Sequence, residues 1–378
     1  MQNILVRKLL SLTFLILFLS TSVNSFARIW GDDPKQADKR FDSVIGKEKL
    51  FFETEDINAS EQIIRDHLLE IFPIISETEI IVIIKTKIIK EILPLISDSL
   101  TISNTIYKIS FEVPKNYLAD TAKILWELNI PEFQSRLYQI YNGEQLYIDT
   151  WPNVVGTIKD KTYTGNFQAY KIRNWPFYKD PDPSKAHLSP TKPGAGNPLG
   201  LFVVHYDENS LRYFHGTNQP GVLDNKLRNL SHGCVRNDND NIAKMKEFII
   251  KRVVKSKDLS NWLGSKKTVI YEFEETDKFP VRINYKTFEV SNDILGKYII
   301  LFKDVYNYRS GRINKELNDT ALITLTNTEN IFADYRKTFG NEIPDDALKL
   351  MINYVINKGV EYEKYYIDAL KEKFMIQN

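Results

Sequence analysis

The chain has 378 residues and nearly balanced charge, 50 basic against 49 acidic residues, for a net charge of +1. No basic stripe with interleaved aromatics is present, which excludes the electrostatic footprint of a nucleic-acid binder. A chain of this length can build two or three domains with real cores, and its single cysteine, Cys234, rules out an internal disulfide.

In chain order, Arg7 and Lys8 precede an apolar run from Leu9 to Leu19, and Ser25 and Ala27 follow at an A-x-A-like spacing. This is the pattern of a secretory signal peptide, residues 1–27, cleaved near Ala27. The run is shorter than the roughly 20 residues a membrane span needs, so the expectation is an exported protein without a membrane attachment after cleavage. An uncleaved anchor is the competing reading. A lone thiol in an exported protein reads as an intermolecular bridge or a reactive group, against the blander reading of a small buried hydrophobe.

Residues 28–131 form a mixed α/β module of open role. In "SEQIIRDHLLEIFPII" the apolar spacing of Ile63, Ile64, Leu68 and Ile71 predicts a helix. "TEIIVIIKTKIIKEILPLI" is ambiguous between buried strand and helix, and "LADTAKILWELNI" reads as a helix with Asp120 near its start. From Phe133 the texture turns to strands. Asn142–Gly143 between two alternating runs predicts a hairpin. "GNFQAYKIRNWPF", "LGLFVVHY" and "LRYFHG" read as further strands, separated by the Pro/Gly-rich loop "KDPDPSKAHLSPTKPGAGNP".

After the cysteine, "NDNDNIAKMKEFIIKRVV" predicts a helix capped by Asp238 or Asn239, with Ile242, Met245, Ile249 and Val253 on one face. "FPVRINYKTFEV" and "KYIILFKDVYNY" read as a strand pair around "SNDILG", and residues 310–378 as an amphipathic helical extension.

The chemistry gathers at "SHGCVRN". A cysteine acts as thiolate, and lowering its pKa takes a cation, an imidazole or a helix N-terminus. His232 and Arg236 flank Cys234, the predicted helix begins shortly after, and His215 lies upstream at a strand end. Gly233 and Cys234 offer backbone N–H groups to a developing oxyanion. Thiol, imidazole, backbone donors and fixed cation fit covalent acyl transfer. A structural zinc site wants four ligands, and one Cys with two His falls short, so no metal or organic cofactor is expected.

"HGTNQPGVLDNKLRNLSHGCVRN" resembles the signature of the L,D-transpeptidases with a YkuD-type catalytic domain: a His, a spacer of about fifteen residues, then Ser/Thr-His-Gly-Cys. Here 15 residues separate His215 from Ser231. "PGAGNPLGLFVV" resembles the family's Asn-Pro-Leu-Gly segment, and "TYTGNFQAY" its Thr-Pro-Thr-Gly strand start, with Tyr163 in place of proline. The resemblance covers roughly residues 132–309. No LysM or three-helix wall-binding repeat is visible in residues 28–131.

The resemblance implies an α+β fold: a β-rich YkuD-like catalytic domain of paired mixed sheets over residues 132–309, flanked by smaller, mostly helical modules. It implies that Cys234 attacks a tetrapeptide stem of peptidoglycan between meso-diaminopimelate and D-Ala. D-Ala leaves, a thioester forms, and a second stem's amine resolves it into a 3→3 cross-link in the periplasm or cell wall. Donor and acceptor stems are then the partners, and carbapenem-type inhibitors are candidates to acylate the same sulfur. His215 is the expected base and His232 an orienting group, although the two can exchange roles. Gly233 is the expected oxyanion donor. Ser231 is expected to hold an imidazole tautomer and Arg236 to grip a donor carboxylate. Gly216 and Thr217 are expected to shape the strand end beside His215, with Asn218 and Asn237 as polar lining, and residues 218–230 to form a mobile flap. A hydrolase with the same site (an L,D-carboxypeptidase or cross-link-cleaving amidase) and an inactive wall-binding scaffold are the alternatives.

Overall fold

The computed structural model describes residues 46–92, 105–120, 122–180, 182–254, 259, 262 and 264–375. The expected signal peptide lies outside the described residues. Among the described residues no helix is long and apolar enough to cross a membrane. The chain divides into two compact units.

The first unit runs over residues 46–120. It holds β1 (Lys47–Thr54), α1 (Ser60–Ile71), α2 (Glu77–Ile84), β2 (Ile88–Ile92), β3 (Ile106–Pro114) and the short α3 (Lys115–Leu118). The strands form an antiparallel sheet in the order β1-β3-β2. Its core includes Leu50, Ile64, Leu68, Phe72, Ile80, Ile83, Ile109 and Phe111, all buried. The ambiguous stretch from Thr78 becomes two elements. Ser76 caps α2 by accepting from the Glu79 N–H, and after a turn at Lys85–Lys87 the chain continues as β2.

The second unit begins with β4 (Lys123–Asn129), β5 (Gln134–Tyr141), β6 (Glu144–Gly156), β7 (Gly165–Ala169) and β8 (Lys171–Asn174). Next come β9 (Phe202–Asp207), β10 (Arg212–His215), β11 (Asn229–Ser231), β12 (Val235–Asn237), α4 (Asn239–Phe248), β13 (Val269–Glu272) and β14 (Phe279–Lys286). It ends with β15 (Phe288–Asp293), β16 (Gly296–Leu301), β17 (Ile323–Thr324), α5 (Thr328–Phe339), α6 (Asp345–Lys358), β18 (Lys364–Tyr366) and α7 (Ile367–Lys373).

Twelve strands make one mixed sheet in the order β13-β8-β9-β10-β12-β6-β5-β4-β14-β17, with β11 on β6 and β7 on β14. Only Tyr170 separates β7 from β8, yet the two pair near opposite ends of that order, so the sheet curls back on itself. Side chains alternate across each strand, and the inward ones meet face to face. Trp126 of β4 stacks on Phe214 of β10 at 3.8 Å, and Phe167 of β7 meets Tyr206 of β9 at 5.3 Å.

The β5–β6 hairpin turns at Asn142 and Gly143, both with positive φ, as the Asn-Gly pair predicts. The helix expected over "LADTAKILWELNI" is instead the interior strand β4. It lies between β5 and β14, so Ile124, Leu125, Trp126 and Leu128 are buried on both of its faces. That contiguous burial produces an apolar run without period-2 alternation. The large sheet therefore starts before residue 132.

Helix α4 is capped by Asp238, whose Oδ1 accepts from the Asp240 N–H. It ends in a π turn over Ile249–Val253, whose extra residue buries Val254 rather than Val253.

The strand pair expected after Phe279 is present but is shared between two sheets. β14 joins the large sheet, whereas β15, β16 and β18 form a separate antiparallel sheet. Phe288, Val290, Ile299 and Leu301 of that sheet pack in one core with Ile331 and Tyr335 of α5, Leu348, Met351, Ile352 and Val355 of α6, and Ile367 and Leu370 of α7. The modules before and after the large sheet in sequence thus each carry a three-stranded sheet as well as helices. The expected boundary at 309/310 falls in a stretch that returns to the large sheet: Thr164 donates to Asn318, and β17 pairs with β14.

Candidate active site

Parallel pairing of β10 with β12 sets Phe214 opposite Val235 and His215 opposite Arg236. Phe214 and Val235 are fully buried in the interior of the curled sheet. Alternation therefore turns Tyr213, His215, Cys234 and Arg236 to the other face. Cys234 lies one step before β12, level with Tyr213, whose N–H the sulfur accepts, and the thiol itself donates to the Leu211 carbonyl at 3.8 Å. His215 and Cys234 are thus diagonal neighbours on adjacent strands, about 8 Å apart at the backbone by strand spacing and rise.

His215 is 3 % exposed, and its Nδ1 lies 2.6 Å from the Gly216 carbonyl. A carbonyl only accepts, so Nδ1 carries the proton and Nε2 a free lone pair. Burial first, then Arg236, pushes the imidazole pKa down to about 3, so the ring is neutral at neutral pH. Burial also raises the Cys234 pKa, opposed by the Tyr213 N–H and by Arg212, Arg236 and Arg173. The resting pair is a neutral thiol and a neutral imidazole.

The loop before Cys234 is built by its own side chains. Ser231, 2 % exposed, accepts from the Gly233 N–H at 3.1 Å and donates to the Cys234 carbonyl at 2.5 Å. This corrects two expectations. Ser231 holds the loop rather than an imidazole, and the Gly233 N–H is engaged rather than open to an oxyanion. Gly233 has φ +105°, and an added Cβ would come within 2.5 Å of the Arg212 Nε. Its carbonyl accepts from Thr162 Oγ1 at 2.8 Å, and Thr162 accepts in turn from the Gly156 N–H. Tyr306 Oη closes the brace, accepting from the Thr162 N–H and donating to the Gly156 carbonyl, both at 3.0 Å.

Three guanidiniums surround the sulfur. Arg212 donates to the Lys161 and Ser210 carbonyls and stacks on Tyr163. Arg173, on β8, lies over the Tyr213 ring at 5.9 Å. Arg236 has Tyr178 and Cys234 as the neighbours that favour its charge. Neither Arg173 nor Arg236 has a carboxylate partner among the described residues. The expected helix N-terminus plays no such part, because Asp238 caps it and Asn239 turns to Thr217 instead.

Other expected residues sort clearly. His232 is exposed and makes no hydrogen bond among the described residues, so the structure gives it no orienting role. Gly216 lets Asn239 approach, since a Cβ there would lie 2.4 Å from Asn239 Oδ1. Thr217, 1 % exposed, gives both backbone groups to Asn239. Gly216 and Thr217 thus shape the strand end and present no surface to a ligand. Asn218 is exposed and donates to the Gly196 carbonyl. Asn237 is fully buried and bonds Asn153 and the His215 carbonyl, which removes it from the lining.

The expected flap is pinned at its C-terminal half. Arg228 donates to the carbonyls of Asn153, Phe133 and Asn225, and β11 pairs with β6. Arg173, Tyr213, Tyr178 and Thr162 were not expected at the site. Thr162 opens the "TYTG" stretch, which the resemblance marks only as a strand start, and the other three are ordinary strand or loop residues whose facing depends on registers that no motif encodes. Among the described residues no group of three His, Cys, Asp or Glu gathers to hold a metal.

Residues 127–270 match the model of YkuD, described as the L,D-transpeptidase catalytic domain. No curated protein matches the chain. Among solved structures, the chain is similar to an L,D-transpeptidase from Mycobacterium smegmatis, at 12 % identity over 70 % of this chain and 98 % of that one, with a TM-score of 0.25. It is likewise similar to L,D-transpeptidase 3 from Mycobacterium tuberculosis in complex with a faropenem-derived adduct, at 10 % identity over 70 % and 97 %, TM-score 0.25. A mutant of the helical cell shape determining protein Pgp2 from Campylobacter jejuni aligns at 12 % identity over 64 % and 71 %, TM-score 0.24.

Proposed function

We propose that this chain, whose residues 127–270 match the model of the L,D-transpeptidase catalytic domain, is an exported peptidoglycan L,D-transpeptidase with Cys234 as nucleophile and His215 as general base. The observation that carries the reading is the tautomer of His215: Nδ1 is tied to Gly216, which leaves Nε2 free to take a proton on the face that bears Cys234.

The resting thiol keeps its proton until substrate arrives. As Sγ attacks the carbonyl carbon between meso-diaminopimelate and D-Ala of a tetrapeptide stem, Nε2 takes the thiol proton. The Cys234 N–H supports the oxyanion, the Gly233 N–H being engaged. The C–N bond breaks, the imidazolium passes its proton to the leaving amine, and D-Ala departs from a thioester. The side-chain amine of a second stem then attacks the thioester carbon. It yields its proton to Nε2, and the sulfur leaves and recovers that proton, which completes a 3→3 cross-link. Arg236 binds a carboxylate of the donor stem, a task suited to a permanently charged bidentate group.

Incubation of the mature protein with purified tetrapeptide stems, read by mass spectrometry, tests this. Cross-linked dimers lacking one D-Ala are expected, together with a carbapenem adduct on wild type that Cys234→Ala lacks. Tripeptides alone would make water the acceptor and the protein a carboxypeptidase. Unchanged stems without an adduct would sink the enzymatic reading.

A further inference from the structure

Arg173 sits between the buried Ile172 and Asn174 on β8. Its register neighbour on β9 is Val203, which pairs with His215 of β10, which in turn pairs with Arg236 of β12. One row across four strands therefore reads Arg173, Val203, His215, Arg236, with a cation at each end. The guanidinium of Arg173 lies over the Tyr213 ring, so its side chain leans from β8 across β9 toward β10 and the sulfur.

Its Nε is buried without a hydrogen-bond partner. The neighbours that favour its charge are Tyr213 and Cys234, with no carboxylate among them. A desolvated guanidinium lacking a counter-ion is costly, and a ligand carboxylate satisfies it bidentately.

The chemistry gives this cation a side. The leaving nitrogen receives its proton from His215, so it lies toward β10 from Cys234. The carboxylate of a leaving amino acid, two bonds beyond that nitrogen, then extends along the row toward β9 and β8. Arg236, on the strand of Cys234 itself, serves the acyl side.

We propose that Arg173 is a specificity-determining residue that binds the terminal carboxylate of the leaving amino acid, so that the site acylates on free stem ends and rejects ends that are amidated or already bonded. This rests on the transpeptidase reading of the Cys234 site.

The test compares acylation of the full protein by tetrapeptide stems ending in D-Ala and in D-alaninamide. A charge-assisted pair predicts that wild type favours the carboxylate by about tenfold to a hundredfold. Arg173→Met is expected to lose that preference, its rate falling much further on the carboxylate stem than on the amide, and Arg173→Lys to retain part of it. Equal wild-type rates on both stems, or equal losses on both stems in Arg173→Met, would overturn the assignment and leave the transpeptidase reading standing. Absence of any acyl-enzyme with either stem would overturn the parent reading, and this one with it.

Discussion

Thr162 Oγ1 donates a 2.8 Å hydrogen bond to the carbonyl of Gly233, the residue directly before the sulfur, from a chain position 71 residues upstream. The same hydroxyl accepts from Gly156, and Tyr306 braces both residues. Thr162 is fully buried. Thr162→Val leaves one backbone donor and one backbone acceptor without partners, each costing about 1–3 kcal/mol. The expected result is a drop in stability of that order and slower acylation of Cys234, by roughly a hundredfold if the sulfur shifts by about 1 Å. Thr162→Ser restores both. Denaturant unfolding and adduct formation by mass spectrometry read the two effects, and an unchanged acylation rate in the valine variant would refute the brace.

Gly233→Ala meets two obstacles, a left-handed φ and the Arg212 guanidinium. Left-handed strain costs about 1–3 kcal/mol, and the new methyl displaces Arg212 from the Lys161 carbonyl. Acylation is expected to fall further than in Arg212→Met, because backbone and cation move together. An alanine variant with wild-type stability and rate would contradict the geometry.

The thiol carries a pH signature. Burial raises its pKa above the ordinary value against three arginines and a backbone N–H. The alkylation rate of Cys234 by iodoacetamide should climb through alkaline pH with a midpoint above that of free cysteine. Arg236→Met should move the midpoint higher still, since it removes one of the opposing cations. A midpoint near neutrality would mean a preformed thiolate, contrary to the neutral resting pair.

Two histidines should make the fold acid-sensitive. His205 and His215 are 8 % and 3 % exposed, and burial pushes both pKa values down to about 3. The unfolded chain, with imidazoles near 6.5, binds more protons in that window. Their contribution is intact above pH 6.5 and is lost as pH falls toward 3, with a slope of up to about 1.4 kcal/mol per pH unit for each. Urea unfolding between pH 7 and 4 should show this decline, and His205→Leu should make it shallower. Flat stability across the window would exclude the burial of both rings.

Much of this was legible in the residues. Asn142–Gly143 fixed a hairpin because few other pairs take two positive φ values in succession, and the spacing of His215 and Cys234 pointed to the candidate site. What escaped depends on registers and long-range pairing. The "ILWEL" run hid a strand because an interior strand buried on both faces loses its alternation. Arg173 gave no signal, because only the pairing of β8 with β9 turns it toward the sulfur. His232 misled in the other direction: adjacency along the chain places it next to Cys234, yet the bend at Gly233 leaves it in solvent.

The interior position of β14 and the reach of Tyr306 bear on any effort to excise the domain that carries Cys234. A fragment ending at residue 270, where the family match stops, would keep Cys234, His215 and all three arginines. It would lack the strand that pairs with β4 and β7 and the phenol that braces Gly156 and Thr162. A transplantable version of this site must therefore carry its downstream sequence at least through β17, well past the last residue that touches the sulfur.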